Sequence, residues 1–239
     1  MQPYSVIIPT LNEASRVGDC VRRVRSLAPH PQVIVVDGGS SDATLQIAQE
    51  AGAQVVQTGR GRGLQCNTGA QHAAGDILLF LHVDTRLPSH AFDVLETSFS
   101  HDKVQIGTFR LRFDWSHPVL RFYSLFSAID TIFTRFGDQC IVVREPFFYL
   151  LGGFPDWPLF EDVALLQKAR RRTRIYSFPA TVITSARRYR RFGVMGQQLR
   201  NLRYMLAYLS GVSPEVIADR YRQDMIGAQD EHSPSGDTV

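Results

Sequence analysis

Two apolar runs in this chain end in carboxylates. Val33-Ile34-Val35-Val36 gives way to Asp37, and Ile77-Leu78-Leu79-Phe80-Leu81 gives way to His82-Val83-Asp84. Runs of that length and composition read as strands buried on both faces of a parallel sheet. In open parallel sheets ligands bind at the carboxyl ends of the strands, so Asp37, His82 and Asp84 stand where a site is expected. Two apart on a strand, His82 and Asp84 should share a face. The plainer reading of Asp84 is a cap for the turn into Thr85-Arg86-Leu87-Pro88. A second acidic pair, Glu161-Asp162, follows a Pro-rich turn and opens a helix, where acids also suit the helix dipole. Positive charge gathers in the last third, at Arg170, Arg171, Arg172 and Arg174 and again at Arg187, Arg188, Arg190 and Arg191. Such clustering points to an anionic ligand near one edge; the alternative is a solvated surface patch.

The Gly/Ser turn Gly38-Gly39-Ser40-Ser41-Asp42 and the Arg/Gly turn Gly59-Arg60-Gly61-Arg62-Gly63 complete the outline of a nucleotide-binding edge built from several strand ends. Other chemistries are disfavoured. No GxGxxG follows the first strand, which argues against a dinucleotide dehydrogenase, and no GxxxxGK[ST] is present for a P-loop. Three separated cysteines, Cys20, Cys66 and Cys140, suggest neither a disulfide framework nor a zinc site. His72, His90, His101 and His117 show no metal-ligand spacing. A net charge of +3 over 239 residues does not suggest wholesale nucleic-acid binding. The chain enters directly into a strand-like run without a leader pattern, and no segment reaches the ~20 apolar residues of a spanning helix, so a soluble cytoplasmic protein is expected.

The elements that must position these residues alternate. Ser5–Pro9 reads as a strand, followed by a helix to about Leu27 with Asn12 as its cap. Val33–Val36, a helix over about 43–51, Gln54–Gln57, a helix over about 64–74 and the strand from Ile77 continue the βαβ rhythm of a doubly wound sheet. Further on, 89–99 reads as a helix and 105–113 as a strand of partly alternating type, so the sheet is expected to become mixed. The stretch 118–136 carries Leu120, Phe122, Tyr123, Leu125, Phe126, Ile129, Ile132 and Phe133 at helical spacing, interrupted by Arg121, Asp130 and Arg135. It is expected to pack on the sheet, with a homodimer contact or a membrane surface as alternatives. Cys140–Val143 is a strand, a helix from Arg144 ends at Gly152-Gly153-Phe154-Pro155, and a helix runs from Glu161 toward Arg172. A strand over 175–183, a basic loop over 185–191 and a final helix over 196–209 follow. The expected organisation is one domain over 1–228 with a disordered polar tail over 229–239.

Taken in order, Ser5-Val6-Ile7-Ile8-Pro9-Thr10-Leu11-Asn12-Glu13, Val35-Val36-Asp37-Gly38-Gly39-Ser40-Ser41-Asp42, the strand ending in Asp84, and Gly152-Gly153-Phe154 followed by Glu161-Asp162 resemble the motif series of inverting family 2 glycosyltransferases. That family has the GT-A fold, an α/β Rossmann-like architecture with a mostly parallel central sheet flanked by helices. Three segments resemble one branch of it: Gly59 to Ala70, Leu81-His82-Val83-Asp84-Thr85, and Ser185 to Arg191. The branch includes glycosyltransferases encoded beside arsenosugar genes and the selenosugar synthase of selenoneine biosynthesis, which joins selenophosphate to the sugar of UDP-N-acetylglucosamine.

The resemblance implies roles for individual residues. Pro9, Thr10, Asn12 and Glu13 would line the nucleoside pocket, Asp37 would accept from the uracil, and Arg62 would lie against the base or diphosphate, with Gln65 and Asn67 in the same donor-binding group. Asp84 matches the last acid of the family's DxD motif, which binds Mg²⁺ or Mn²⁺. His82 replaces the first acid and leaves less negative charge for a hard cation, so the arginines are a second means of neutralising the leaving UDP. Asp162 of the Glu161-Asp162 pair matches the general base. Selenium in selenophosphate is already anionic, so with that acceptor Asp162 would orient rather than deprotonate. Asp138 and Gln139 fall where such enzymes build the acceptor side. Arg144, Arg187, Arg188, Arg190 and Arg191 are the candidates to offset an anionic acceptor.

Overall fold

The computed structural model describes residues 3–127, 129–132 and 134–230. Two compact units are formed, one from Met1–Asp156 with Glu161–Ala186, the other from Trp157–Phe160 with Arg187–Val239.

The first unit is a mixed sheet with helices packed on it. Strands β1 (Tyr4–Thr10), β2 (Gln32–Asp37), β3 (Gln54–Gln57) and β4 (Ile77–Phe80) form its parallel part, in the order β3-β2-β1-β4. All four residues of β4 and the run Val33–Val36 of β2 are buried, as unbroken apolar strands require. Helices α1 (Ala14–Arg25), α2 (Thr44–Glu50) and α3 (Arg62–Gln71) make the crossovers. The apolar spacing of α1 puts Val17, Cys20, Val21 and Val24 against the sheet.

Asn12 does not cap α1. It takes a left-handed backbone (φ 54°) and its side chain accepts from the Ser41 amide at 2.9 Å. The start of the helix is satisfied from the following loop, where Thr44 Oγ1 accepts from the Glu13 amide (2.8 Å) and an Asp42 carboxylate oxygen from that of Ala14 (3.2 Å). The two loops at the ends of β1 and β2 are thereby fastened to each other.

Beyond β4 the direction changes. Strand β5 (Thr85–Arg86), helix α4 (Ala91–Phe99), strand β6 (Ile106–Phe113), helix α5 (Pro118–Phe126), strand β7 (Ile141–Arg144), helices α6 (Glu145–Leu150) and α7 (Glu161–Arg170), and strand β8 (Tyr176–Thr184) complete the unit. Strand β7 lies antiparallel to both β4 and β6, β8 runs parallel to β6, and β5 closes the edge antiparallel to β8. The eight-stranded order is β3-β2-β1-β4-β7-β6-β8-β5. Under the middle of the sheet, Ile7, Ile34, Leu78, Phe80, Ile141 and Val143 bury against Phe148, Phe154, Leu165 and Leu166. Each such side chain contributes roughly 1.5–3 kcal/mol.

The helix expected over 118–136 stops at Phe126. Ser127 turns back on Ser124 O (2.7 Å) and its hydroxyl accepts the Leu111 amide of β6 at 3.0 Å. Asp130 and Arg135 pin the segment that follows. Arg135 is buried and donates to Thr108 Oγ1 (2.7 Å) and Tyr176 O (3.0 Å), while Asp130 pairs with Arg170 at 2.8 Å. Those side chains draw the backbone onto the sheet in a path that a helix does not follow. Packing of α5 rests on Leu120, which is buried, and on Tyr123 against Phe113; Phe122 and Leu125 face outward. Phe133 lies outside the described residues.

In the second unit the basic stretch expected as a loop is a helix, α8 (Arg187–Phe192), followed by α9 (Val194–Leu209) and α10 (Pro214–Asp230). No expected element corresponds to α10. Tyr204 and Tyr221 meet edge to face at 5.6 Å, and the Tyr204 hydroxyl donates to Asp224, which joins α9 to α10. Gln229 and Asp230 close α10; of the expected disordered tail, residues 231–239 lie outside the described residues. Among the described residues no helix is long and apolar enough to cross a membrane.

Candidate active site

The parallel register brings the carboxyl ends of β1, β2 and β4 to one edge, with Thr10 opposite Asp37 and Ile7 opposite Phe80. Asp37 is fully buried there. Its carboxylate accepts from the amides of Gly39 (3.0 Å) and Ser40 (2.7 Å), from the Ser40 hydroxyl, and from Thr10 Oγ1 at 3.3 Å. Asp37 thereby builds the Gly39–Ser40 turn at the edge where the uracil is expected. Gln65 of α3 does similar work, its side-chain amide donating to the carbonyls of Thr10 (2.7 Å) and Val36 (2.8 Å). Pro9 and Glu13 flank this edge, Glu13 paired with Arg16 at 2.9 Å.

The turn after β4 is tight: the Thr85 amide donates to His82 O at 3.0 Å. Strand geometry has ended at that point, so His82 and Asp84 do not share a face by alternation. They are the first and third residues of a turn. His82 Nδ1 lies 2.8 Å from Asp138 Oδ1, in the single 3₁₀ turn Gly137–Gln139 that leads into β7. On the other side of Gly137, its amide donates to Asp162 Oδ2 at 2.6 Å. A Cβ at residue 137 would stand 3.0 Å from Asp162 Oδ2 and 3.1 Å from His82 Nε2. Glycine is therefore what allows the imidazole and the carboxylate to converge.

Asp162 sits in the first turn of α7, its other oxygen accepting the Val163 amide at 2.7 Å. Glu161 beside it is buried, and its Oε1 lies 3.2 Å from Arg62 Nη1. Burial raises the Glu161 carboxyl above its ordinary 4.5 and the Asp162 charge adds to this, while Arg62 opposes both. The Arg62 guanidinium is held firmly charged by Glu161. Burial pushes the neighbouring Cys66 thiol well up, so it is no nucleophile.

Arg62 reaches this place because α3 packs tightly on the turn after α6. A Cβ on Gly63 would collide with the Pro155 carbonyl. Asn67 fixes the same turn, donating to Phe154 O at 2.9 Å and accepting the Phe154 amide at 3.0 Å. Phe154 in turn packs edge-on to Phe80 at 4.8 Å. Asn67 and Gln65 are thus positioning residues.

Two expected acceptor residues are employed elsewhere. Arg144 is opposite Ile77, at the far end of β4, where it donates to Phe99 O (2.6 Å) and Val104 O (3.0 Å) and lies over the Phe99 ring. The antiparallel course of β7 carries it away from the site. Gln139 is fully buried, accepting from Thr108 Oγ1 (3.0 Å) and donating to Thr134 O. Arg187, Arg188, Arg190 and Arg191 belong to α8 of the second unit. Gly137 was missed in the sequence; the signal was a glycine directly before Asp138 at the mouth of an apolar strand.

Among the described residues, no group of three or more His, Cys, Asp and Glu side chains gathers to hold a metal unaided. Mg²⁺ and Mn²⁺ held mainly by substrate phosphates and one or two side chains need no such group. Asp84, half-buried in the turn after β4, suits that arrangement.

The glycosyl transferase family 2 model matches residues 5–141. The 4,4'-diaponeurosporenoate glycosyltransferase of Staphylococcus haemolyticus is 30% identical over 145 residues, 57% of this chain and 38% of that protein. The chain thus spans under two fifths of the length of the curated relatives it matches. Among solved structures, S. aureus TarS in complex with UDP-GlcNAc aligns with a TM-score of 0.63 at 18% identity, covering 77% of this chain and 58% of that one. Glucosyl-3-phosphoglycerate synthase from Mycobacterium tuberculosis, in complex with Mg²⁺ and UDP, aligns with a TM-score of 0.55 at 20% identity, covering 77% and 70%. The sheet order and flanking helices are those of the GT-A fold, and the chain belongs to glycosyl transferase family 2.

Proposed function

We propose that this glycosyltransferase moves a sugar from a UDP-sugar, UDP-N-acetylglucosamine, to selenophosphate. The observation that carries the reading is the convergence of Arg62, Glu161, Asp162, His82 and Asp138 around Gly137 at the nucleotide-binding edge. The choice of acceptor rests on the resemblance of residues 59–70, 81–85 and 185–191 to the selenosugar-forming branch.

In this reading Pro9, Thr10, Asn12 and Glu13 form the wall of the nucleoside pocket, and Arg62 balances diphosphate charge while anchored on Glu161. Asp84, with His82 beside it, would hold Mg²⁺ or Mn²⁺; when bound, the ion supplies positive charge to the departing diphosphate. Selenium attacks the anomeric carbon as the carbon–oxygen bond to UDP breaks. The electron pair leaves with UDP, a carbon–selenium bond forms, and the configuration inverts. Asp162, held by the Gly137 amide, orients the acceptor; for an acceptor bearing a proton it would receive that proton. His82 and Asp138 wall the acceptor side.

Incubation with UDP-N-acetylglucosamine and selenophosphate, followed by mass spectrometry and assay of free UDP, tests the reading. A selenium-bearing sugar formed together with UDP is the expected result. UDP binding without a selenium product would remove selenophosphate, and failure to bind UDP would remove the donor. A second acceptor class, an apolar carboxylic acid or alcohol, draws on the Staphylococcus relatives, whose name specifies a diaponeurosporenoate acceptor. With such an acceptor, sugar transferred from a radiolabelled UDP-N-acetylglucosamine would pass into the organic phase.

A further inference from the structure

Helix α9 carries an apolar stripe that stays exposed among the described residues. Met195, Leu199, Leu202, Leu206 and Leu209 are between 45% (Leu209) and 63% (Leu199) exposed. At 3.6 residues per turn all five fall within an arc of about 80°, and 16 residues make a rod about 24 Å long. The opposite side of the same helix buries Gln197 and Tyr204. Its place in the fold is therefore secured without the stripe, and five large side chains are left in water.

The charge around the stripe identifies what it meets. From residue 187 to residue 211 there are six arginines and no acid: Arg187, Arg188, Arg190, Arg191, Arg200 and Arg203. Arg191 and Arg200 both lie over the Phe192 ring, at 5.0 and 4.8 Å, and the second contact ties α8 to the middle of α9. A helix with an unpartnered leucine face and arginines along its flank has the character of one that lies in the plane of a bilayer surface. Arg203 is paired with Asp224 of α10 at 3.7 Å, and the acid-free run 187–211 remains strongly basic.

We infer that α8 and α9 form a docking surface for an anionic lipid bilayer, the leucine stripe entering the acyl boundary and the arginines meeting the headgroups. The inference does not depend on the acceptor proposed above.

The test is sedimentation of the full chain with vesicles of phosphatidylcholine, or of phosphatidylcholine and phosphatidylglycerol in equal parts, at low and high salt. Binding to the phosphatidylglycerol vesicles, weakened by salt, is expected. The double variant Leu199→Glu/Leu206→Glu should lower partitioning at least ~10-fold while leaving UDP binding unchanged. A Leu202→Trp variant should show blue-shifted emission with the anionic vesicles. Protein that stays in the supernatant with both vesicle types, equal binding to both, or no loss in the double variant would overturn the inference. So would a wild-type dimer in light scattering that the double variant converts to monomer, because the stripe would then be a subunit interface.

Discussion

His82 Nδ1 stands 2.8 Å from Asp138 Oδ1, joining the turn after β4 to the turn before β7. Asp138 is 54% exposed at its side chain and His82 only 17%, so the carboxylate at the surface fixes the ring beneath it. Asp138→Asn should lower kcat/KM by ~10–100-fold, in the range of lost orienting partners, with UDP affinity little changed. Steady-state kinetics alongside UDP titration checks this.

Asp162 is aimed by a backbone amide, which a side-chain substitution elsewhere cannot replace. Asp162→Asn should retain UDP binding and lose activity; the loss reaches ~10²–10⁴-fold for an acceptor that must give up a proton and is smaller for an acceptor that is already anionic. Gly137→Ala, which forces a methyl between Asp162 and His82, should reduce kcat without unfolding the protein. Comparing the two variants on the same acceptor separates proton transfer from placement.

Glu161 provides a pH signature. Its carboxyl is raised above 4.5 in the folded state, chiefly by burial, so the native protein binds this proton more tightly than the unfolded chain. The resulting stability is fully present below 4.5 and is lost as pH rises through the raised value. Glu161→Gln should flatten that fall, and denaturant midpoints measured across the acid range would reveal it. The variant should also weaken UDP binding, since Arg62 loses its anchor.

Gln65 predicts a purely structural loss. Gln65→Leu removes a buried side-chain donor from the Thr10 and Val36 carbonyls, of which Thr10 keeps the Gly38 amide at 3.0 Å, and should cost roughly 2 kcal/mol. Chemical denaturation monitored by far-UV circular dichroism measures it.

Chelation bears on Asp84. Removal of divalent ions should abolish turnover, Mg²⁺ or Mn²⁺ should restore it, and Asp84→Asn should raise the concentration of metal needed. Activity that survives chelation would transfer the neutralising role to arginines.

The parallel half of the sheet and the acid pair of α7 were legible because their signals are local. Val33–Val36 and Ile77–Leu81 could hardly be anything but buried strands, and Asp37 and Asp84 follow them directly. What escaped depended on direction and distant partners. Arg144 ends a strand just as Asp84 follows one, but β7 runs the opposite way and delivers it to the far edge. Asp130 and Arg135 read as interruptions of a helix, whereas they are the groups that end it by binding Arg170, Thr108 and Tyr176. Periodicity cannot reveal that a glycine must stand between His82 and Asp162, since only the tertiary fold brings those two together. The arginines over 187–191 read as a loop because their charge is obvious and their helical turn is short.

The reciprocal amide pair between Asn67 and Phe154 spans 87 residues. During synthesis from the N-terminus, all four parallel strands emerge well before Phe154 does. Until then Asn67 has only water to bind, and α3 has no turn to seat Arg62 against. The nucleotide half therefore acquires its finished wall late, at the moment the chain that brings Glu161 and Asp162 arrives. A ribosome-bound fragment ending before residue 154 would be a sheet with the donor edge still open.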